Sequence, residues 1–129
     1  MEYLFLLGRI LFGGFFLFNA YKHFTGVSSM APYAASKGVP APRMAVLGSG
    51  LLLALGGLSI LLGVKPKWGV LLLALFLVPV TLTMHNFWAD QDQQTRYSNQ
   101  IQFQKNLALL GATLMLLLIP EPWVLSLGR

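Results

Sequence analysis

Long apolar runs alternate with short polar or proline-containing stretches along this chain of 129 residues. The hydrocarbon core of a membrane, about 30 Å thick, is crossed by a helix of roughly 20 mostly apolar residues. Four runs approach that length, and only Arg9 and Lys105 bring a lysine or arginine into them. The pattern predicts four transmembrane helices in one membrane domain covering residues 1–129, with helices at about 3–21, 44–64, 68–88 and 101–119.

The breaks between these runs predict how the helices are connected. Lys65, Pro66 and Lys67 separate the second run from the third, and proline cannot continue a helix without losing a hydrogen bond. These two helices should therefore form a tight antiparallel hairpin. Four crossings place both termini on one side of the membrane, side A, and the loops 22–43 and 89–100 on the opposite side, side B. The predicted fold class is all-α, an antiparallel bundle of four transmembrane helices.

The first side-B loop predicts one further element. Residues 29–37 have the length of a short helix lying at the membrane interface. Ser28 or Ser29 would cap it, Pro32 suits its first turn and Gly38 suits its end. Such a helix either rests on the membrane surface or covers the side-B end of the bundle as a lid.

Composition agrees with a membrane protein and excludes most soluble classes. Charged residues make up 10% of the chain and hydrophobic residues 56%, whereas an ordinary soluble domain is about 25% charged. The net charge of +5 comes from scattered single lysines and arginines, which indicates the basic flanks of membrane helices and no nucleic-acid surface. The chain has no cysteine, so neither a disulfide nor a thiolate site can form.

The distribution of basic residues leaves the membrane orientation open. Side A carries Lys65, Lys67 and Arg129, with Arg9 as a fourth if its side chain reaches that surface. Side B carries Lys22, Lys37, Arg43, Arg96 and Lys105. The difference is too small to orient the bundle.

Arg9 lies six residues inside the first predicted helix, roughly 9 Å from its start at about 1.5 Å per residue. Its long side chain can reach the side-A surface and anchor the helix there in contact with lipid. The alternative is a partner inside the bundle. No helix interior contains an acidic residue, so the acceptors for Arg9 would be backbone carbonyls, hydroxyls or a lipid phosphate.

Polar side chains from several distant parts of the chain meet at the side-B ends of the predicted helices. One interpretation is the aromatic and basic belt that membrane proteins have at the interface. The other is a pocket for the polar headgroup of a ligand, which the asparagines favour because asparagine is a poor lipid anchor. The candidate ligand-binding residues are Asn19, Lys22, Tyr33, His85, Asn86, Trp88, Lys105 and Asn106.

Other chemistry has little support in the sequence. His23 and His85 have no acidic ligand beside them in the bundle, so no metal site is predicted. The chain lacks phosphate-binding, dinucleotide-binding and metalloprotease motifs, and no catalytic residue is assigned.

A set of short motifs follows in order along nearly the whole chain, and Gly38-Val-Pro-Ala-Pro42 and His85-Asn-Phe-Trp88 are the most specific. The other motifs are Leu7-Gly-Arg-Ile10, Lys22-His-Phe-Thr-Gly26, Gly56-Gly57 with Leu62-Gly63, and Lys105-Asn-Leu-Ala-Leu-Leu-Gly111. With this set the chain resembles the DoxX family of small bacterial membrane proteins.

That resemblance implies a four-helix bundle spanning the bacterial inner (plasma) membrane. Members of the family are associated with quinol oxidation, with membrane oxidoreductase assemblies and with thiol-stress responses, and distant relatives act as membrane-protein chaperones. On the family's characteristic polar positions this chain carries Arg9, Lys22, His85, Asn86, Trp88, Lys105 and Asn106.

One departure from the family pattern concerns proton transfer. Family members often carry a glutamate in the second helix shortly before a Gly-Gly pair, whereas this chain reads Leu51-Leu-Leu-Ala-Leu55 before Gly56. The buried counter-ion for Arg9 or Lys22 is therefore missing, and a candidate proton carrier with it. An enzyme acting alone is the least favoured function.

The favoured function is an accessory membrane subunit that supports a quinone-linked redox complex and binds a quinone or lipid headgroup between the helix ends. The alternative is a membrane chaperone or assembly protein, whose packing surfaces would be the small residues at four-residue spacing. Expected partners are the lipid bilayer and a membrane or redox protein, with a homo-oligomer as a further candidate. The predicted roles are hydrogen bonds from His85, Asn86 and Asn106, positive charge from Lys22 or Lys105, and ring faces from Tyr33 and Trp88.

Overall fold

The computed structural model describes residues 1–128, which form helices and turns and no strand. The segments containing α1, α3, α4 and α5 are each long and apolar enough to cross a membrane. The predicted all-α bundle with four membrane helices is therefore confirmed. Arg129, counted above on side A, lies outside the described residues. The helices are α1 (Glu2–Thr25), α2 (Val27–Ser36), α3 (Pro42–Leu62), α4 (Pro66–Thr83) and α5 (Gln93–Met115), with short 3₁₀ turns at Phe87–Ala89 and Leu116–Leu118.

The hairpin between α3 and α4 closes with a short turn, as its sequence predicts. Gly63 follows α3 in the left-handed conformation (φ 70°), which glycine adopts without steric cost. Lys65 (φ 47°) then precedes Pro66, whose ring suits the first turn of α4. The Ser59 hydroxyl donates to the Val64 carbonyl at 2.7 Å, which ties the turn to the end of α3.

The start of α5 differs from the expected position near residue 101. Helix α5 begins at Gln93, because the Asp92 carboxylate accepts a hydrogen bond from the Thr95 N–H at 2.9 Å and caps the first turn. The first turns of α5 are polar, so the apolar pattern begins later than the helix does.

The end of α4 also differs from the sequence prediction, which extended this helix to residue 88. Helix α4 ends at Thr83, and the Phe87 N–H bonds to the His85 carbonyl at 2.9 Å in a tight turn that breaks the helical pattern. His85, Asn86 and Trp88 therefore lie in the connection to α5 and do not share a helix face.

The helices pack in the order α1, α3, α4, α5, each against the next, around a core of Phe16, Leu53, Ile60, Leu73 and Leu77. The ends of this series stay apart, since no Cα atom of α1 lies within 8 Å of one of α5. Three pairs of membrane helices therefore pack closely, and the fourth pair, α1 and α5, has no close backbone contact.

Close packing of α1 on α3 depends on glycine. A Cβ atom placed on Gly13 would lie 2.8 Å from the Gly57 carbonyl oxygen, and one on Gly57 would lie 3.0 Å from the Gly13 carbonyl oxygen. The two backbones meet at this point because neither residue has a side chain. These glycines thus act inside the bundle, as small-residue packing surfaces.

The expected helix of the first loop is present as α2. It packs on α3 and on the end of α1, and it buries Ala31 and Ala34. The expected serine cap is absent from α2: Gly26 occupies the cap position, and the Ser29 hydroxyl donates to the Gly26 carbonyl at 3.0 Å. Helix α1 continues to Thr25, which leaves a single residue between the two helices and no place for a serine cap.

The segment after α5 folds back under the side-A end of the bundle. Trp123 is 1% exposed, and its ring packs edge-on against Phe5 at 5.2 Å between centroids. The Leu127 N–H donates to the Leu62 carbonyl at 2.9 Å, which attaches the segment to the end of α3. The first turns of α1 and the C-terminal segment thus meet at the same end of the bundle.

Candidate ligand-binding cavity

A cavity of about 590 Å³ lies among the side-B ends of the helices, with walls from all five of them. Six of the eight predicted ligand-binding residues line it. Asn86 and Trp88 do not. The six come from four separate parts of the chain: Asn19, Lys22, Tyr33, His85, Lys105 and Asn106.

The cavity has a polar end near side B and an apolar end deeper in the bundle. Its apolar wall includes Phe15, two turns before Lys22 on α1, and Leu109, one turn after Asn106 on α5. At about 1.5 Å per residue, these positions lie roughly 5–10 Å deeper than the polar ones. The arrangement suits a molecule with a polar headgroup and an apolar body.

A chain of hydrogen-bonded side chains holds His85. The Asn99 amide nitrogen donates to Asp90 Oδ2 at 2.8 Å and to the Tyr33 hydroxyl oxygen at 3.4 Å, which leaves Asn99 Oδ1 as an acceptor. His85 Nδ1 lies 3.2 Å from that oxygen, so a neutral His85 carries its proton on Nδ1. The remaining nitrogen, Nε2, then accepts hydrogen bonds. The sequence-based prediction has His85 donating a hydrogen bond to the ligand.

His23, on α1, also carries the proton of its neutral ring on Nδ1. Its Nδ1 lies 3.1 Å from the Val46 carbonyl oxygen, which can only accept, so this nitrogen also carries the proton of a neutral ring. The Ser49 hydroxyl lies 3.0 Å from the same nitrogen and donates to the Val46 carbonyl at 2.9 Å. His23 lines the cavity and is 9% exposed.

Lys37 connects α2 to the segment after α4. Its ammonium donates to Asn86 Oδ1 at 2.7 Å and pairs with Asp90 Oδ1 at 3.2 Å. The Asn99 amide, which donates to Asp90, holds the pKa of this carboxyl below its usual range, and Lys37 lowers it further. Asn86 therefore acts in this connection between elements, which we call the α2 latch (Lys37, Asn86, Asp90 and Asn99).

Trp88 lies outside the cavity and is 53% exposed. Its ring packs edge-on against Phe87 at 5.4 Å and against Phe103 at 5.7 Å. This cluster, in which Trp88 is exposed and Phe87 and Phe103 are half-buried, fits the interfacial belt, one of the two interpretations of the side-B residues.

Lys22 and Lys105 are the cationic groups of the cavity wall. The Lys105 ammonium donates to Gln102 Oε1 at 2.7 Å and lies 5.6 Å from the centre of the Phe15 ring. The Lys22 ammonium lies 4.9 Å from the centre of the Phe18 ring. Within residues 1–128 neither lysine pairs with a carboxylate, since the ion pairs there are Lys37–Asp90 and Lys67–Glu121.

Asn106 is the most buried polar residue contributed to the cavity by α5. The residue is 6% exposed, and its side chain forms no hydrogen bond within the described residues. Its amide stays accessible from the cavity, since the fully buried polar atoms without a partner are Trp123 Nε1 and Ser126 Oγ. Buried amides are normally paired with protein groups or water. The Asn106 amide is therefore free to bind a group in the cavity.

Arg9 lies at the opposite end of the bundle and is 2% exposed. Its guanidinium donates to two carbonyls at the end of α3, Ile60 at 3.2 Å and Leu61 at 2.8 Å. It also donates to Val124 at 2.6 Å and Leu125 at 3.2 Å in the C-terminal segment. Of the sequence-based alternatives, the structure thus has backbone carbonyls around Arg9 and no exposure of its side chain to lipid.

Several residues around the cavity were not among the predicted site residues. On α5, Asn99, Gln102 and Asn106 follow a three-then-four spacing, so they share one helix face, and that pattern would have identified the first two. Lys37 and Asp90 have no such signal, because their contact joins positions 53 residues apart.

These features define a class of protein: a small multi-pass membrane protein with an amphiphile-sized cavity at one end of a four-helix bundle. The chain belongs to the DoxX family, whose family model matches residues 4–86. The resemblance seen in the motifs is therefore confirmed.

Among curated proteins, the chain is similar to the inner membrane protein YphA of Escherichia coli (strain K12). The two are 28% identical over 126 residues, which cover 98% of this chain and 89% of YphA. No solved structure matches the chain.

Proposed function

We propose that this chain is a non-catalytic accessory protein of the inner membrane that binds the headgroup of a quinone or lipid in the side-B cavity. The observation that supports this proposal is the cavity itself, with amide, imidazole and ammonium groups at one end and apolar side chains at the other. Its volume of about 590 Å³ is in the range of roughly 300–1,000 Å³ that is usual for small-molecule sites. Support of a membrane redox complex would follow from quinone binding.

The hydrogen-bonding groups of the cavity suit both candidate ligands. The Asn106 amide and the two lysines can donate to a quinone carbonyl or a lipid phosphate. The neutral rings of His23 and His85 can accept from a hydroxyl at Nε2. A ligand carrying both an acceptor and a hydroxyl would therefore satisfy more of these groups than one carrying either alone.

The test is to purify the protein from membranes in mild detergent and to quantify bound quinone and phospholipid by mass spectrometry. Wild type should retain one of them at a stoichiometric ratio. Asn106→Leu should lose it, because the substitution removes the unpartnered amide from the cavity wall. Trp88→Ala is the matched control, since this side chain is exposed outside the cavity. If wild type and both variants carry only bulk lipid, the proposal is wrong.

The alternative is an assembly protein or chaperone that binds other membrane helices, and it is favoured by a different observation. A Cβ atom on Gly48 of α3 or Gly111 of α5 would meet no atom within 4 Å. These glycines therefore face outward, where a foreign helix can approach closely. Gly48→Leu and Gly111→Leu should abolish crosslinking to one recurring protein partner in membranes while the bundle stays folded. Unchanged crosslinking, or a wild type without any recurring partner, would contradict this alternative.

A further inference from the structure

The side-B cavity lies between α1 and α5, two membrane helices whose backbones do not pack closely against each other. Helix α1 contributes Phe15, Asn19 and Lys22 to the cavity wall, and α5 contributes Gln102, Lys105 and Asn106. Between these helices no pair of Cα atoms lies within 8 Å. One contact across the gap is that of the Lys105 ammonium with the Phe15 ring, 5.6 Å from the ring centre. The absence of close backbone packing leaves room for a slit between these two helices along the side of the bundle.

The charge along this slit is positive and uncompensated among the described residues. Lys22 and Lys105 stand on its two edges, without a carboxylate partner, and their like charges repel each other. Two ammonium groups without a carboxylate partner attract an anion such as a lipid phosphate. A neutral headgroup leaves this repulsion in place, whereas an anionic one relieves it.

Asn106 is a second and independent indication of a ligand. The residue lines the cavity and is 6% exposed. Its amide is accessible from the cavity and has no hydrogen-bond partner within residues 1–128. An amide nitrogen donates well to a phosphate oxygen. Together, Asn106 and the two lysines provide donors from both edges of the slit for one anionic group.

We infer that the cavity binds an anionic phospholipid, with its phosphate held by Lys22, Lys105 and Asn106 and its acyl chains leaving the bundle between α1 and α5. This inference rests on the proposed ligand-binding function and names the chemical class of the ligand. The apolar cavity wall at Phe15 and Leu109 receives the upper part of the chains. A free phosphate ion has the same headgroup chemistry, but it would leave this apolar wall without a contact.

The experiment measures lipid retained by purified protein after exchange into detergent containing phosphatidylglycerol, which is anionic, or phosphatidylcholine, which is zwitterionic. Wild type should retain one phosphatidylglycerol and no stoichiometric phosphatidylcholine. The double variant Lys22→Gln/Lys105→Gln should reduce phosphatidylglycerol affinity by about tenfold or more, because it removes both charged donors. The matched control is Arg43→Gln/Arg96→Gln, which removes two exposed side-B charges outside the cavity and should leave retention unchanged.

Other outcomes overturn the inference. Equal losses in the two double variants would mean that side-B charge attracts the lipid without a specific site. Displacement of the lipid by millimolar inorganic phosphate, which has no chains, would mean that the cavity binds a phosphate ion alone. If wild type carries stoichiometric quinone and no phosphatidylglycerol, this inference fails while the proposed function stands. If it carries no stoichiometric quinone or lipid of any kind, both fail. Elution volume and helical circular dichroism show whether each variant is folded.

Discussion

At the scale of single residues, Arg9 shows how a buried cation is stabilised without an acid. The family's helix-two glutamate is absent here, and the guanidinium instead donates to carbonyls at the end of α3 and in the C-terminal segment. Carbonyls at a helix C-terminus have no intrahelical partner and carry the negative end of the helix dipole. Arg9 therefore satisfies acceptors that would otherwise be buried without a hydrogen bond.

Replacement of Arg9 should destabilise the bundle. Arg9→Leu leaves the carbonyls of the C-terminal segment and the end of α3 without their donor, at a cost of at least about 2 kcal/mol in the free energy of unfolding. The free energy of unfolding of Arg9→Lys should lie between those of wild type and Arg9→Leu, since one ammonium reaches fewer of the acceptors than a guanidinium does. Thermal unfolding in detergent measures both. Arg43→Leu, at an exposed position, is the control and should stay close to wild type; an equal loss there would contradict the assignment.

The sequence predicts the position of site residues that lie on helices, and it does not predict side-chain contacts in irregular segments. Asn19, Lys22 and Asn106 are located by the helices that carry them, so helix prediction was sufficient to bring them together. Asn86 and Trp88 lie in an irregular connection, where position along the chain does not determine direction. The α2 latch depends on Lys37 meeting Asp90, a contact that no periodic pattern encodes.

At the scale of elements, the α1–α3 pair depends on the contact between Gly13 and Gly57. Gly13→Ala places a Cβ atom 2.8 Å from a backbone carbonyl that cannot move without shifting α3. We expect a loss of about 1–3 kcal/mol in the free energy of unfolding. Gly8→Ala, on the same helix with no atom within 4 Å of its Cβ, should be neutral or stabilising. Gly13→Ala should therefore unfold at a lower temperature than Gly8→Ala. If Gly13→Ala unfolds at the wild-type temperature, α1 and α3 can separate at this point at no cost.

The α2 latch should depend on pH. The pKa of Asp90 in the folded protein is lowered by Asn99 and Lys37, so its stabilising effect is present above the unfolded value of about 3.9 and is lost as pH falls through the folded value. Wild type should therefore unfold at a higher temperature than Asp90→Asn at pH 7, with the same gap down to about pH 5. The gap should close below about pH 4. A gap that stays constant down to the most acidic pH that the protein tolerates would show that Asp90 has an ordinary pKa.

At the scale of the whole molecule, the chain forms a bundle with three packed helix pairs and one open pair. The hydrophobic runs predicted the number of spans, and the Lys-Pro-Lys turn predicted which two helices pair through a short connection. They did not predict the gap between α1 and α5, because an apolar helix surface is equally stable against lipid and against another helix. Whether α1 and α5 pack closely depends on how their side chains fit together. The cavity lies between these two helices.

The position of Arg9 also changes the balance of charge across the membrane. Since its guanidinium is held inside the bundle, Arg9 no longer counts toward the side-A surface. Among the described residues, side A then keeps Lys65 and Lys67, with Arg129 beyond them. Lysine and arginine are enriched in short cytoplasmic loops. Five basic residues on side B against three on side A are still too few to orient the bundle by charge alone, so a cytoplasmic side B is the hypothesis that labelling tests. The basic residues of side B are Lys22, Lys37, Arg43, Arg96 and Lys105.

This orientation can be measured directly because the chain has no cysteine of its own. Gln91→Cys places a thiol in the exposed side-B loop, and Leu127→Cys places one at a position that is 76% exposed in the C-terminal segment. A membrane-impermeant maleimide added to intact spheroplasts should label Leu127→Cys and not Gln91→Cys, and inverted vesicles should give the reverse. Wild type, which has no thiol, is the control for background labelling. Labelling of Gln91→Cys in intact spheroplasts with protection of Leu127→Cys would place side A in the cytoplasm. Positions 91 and 127 lie on opposite sides of the membrane if α5 alone crosses it between them. Labelling of both variants from the same side would therefore contradict a single crossing by α5.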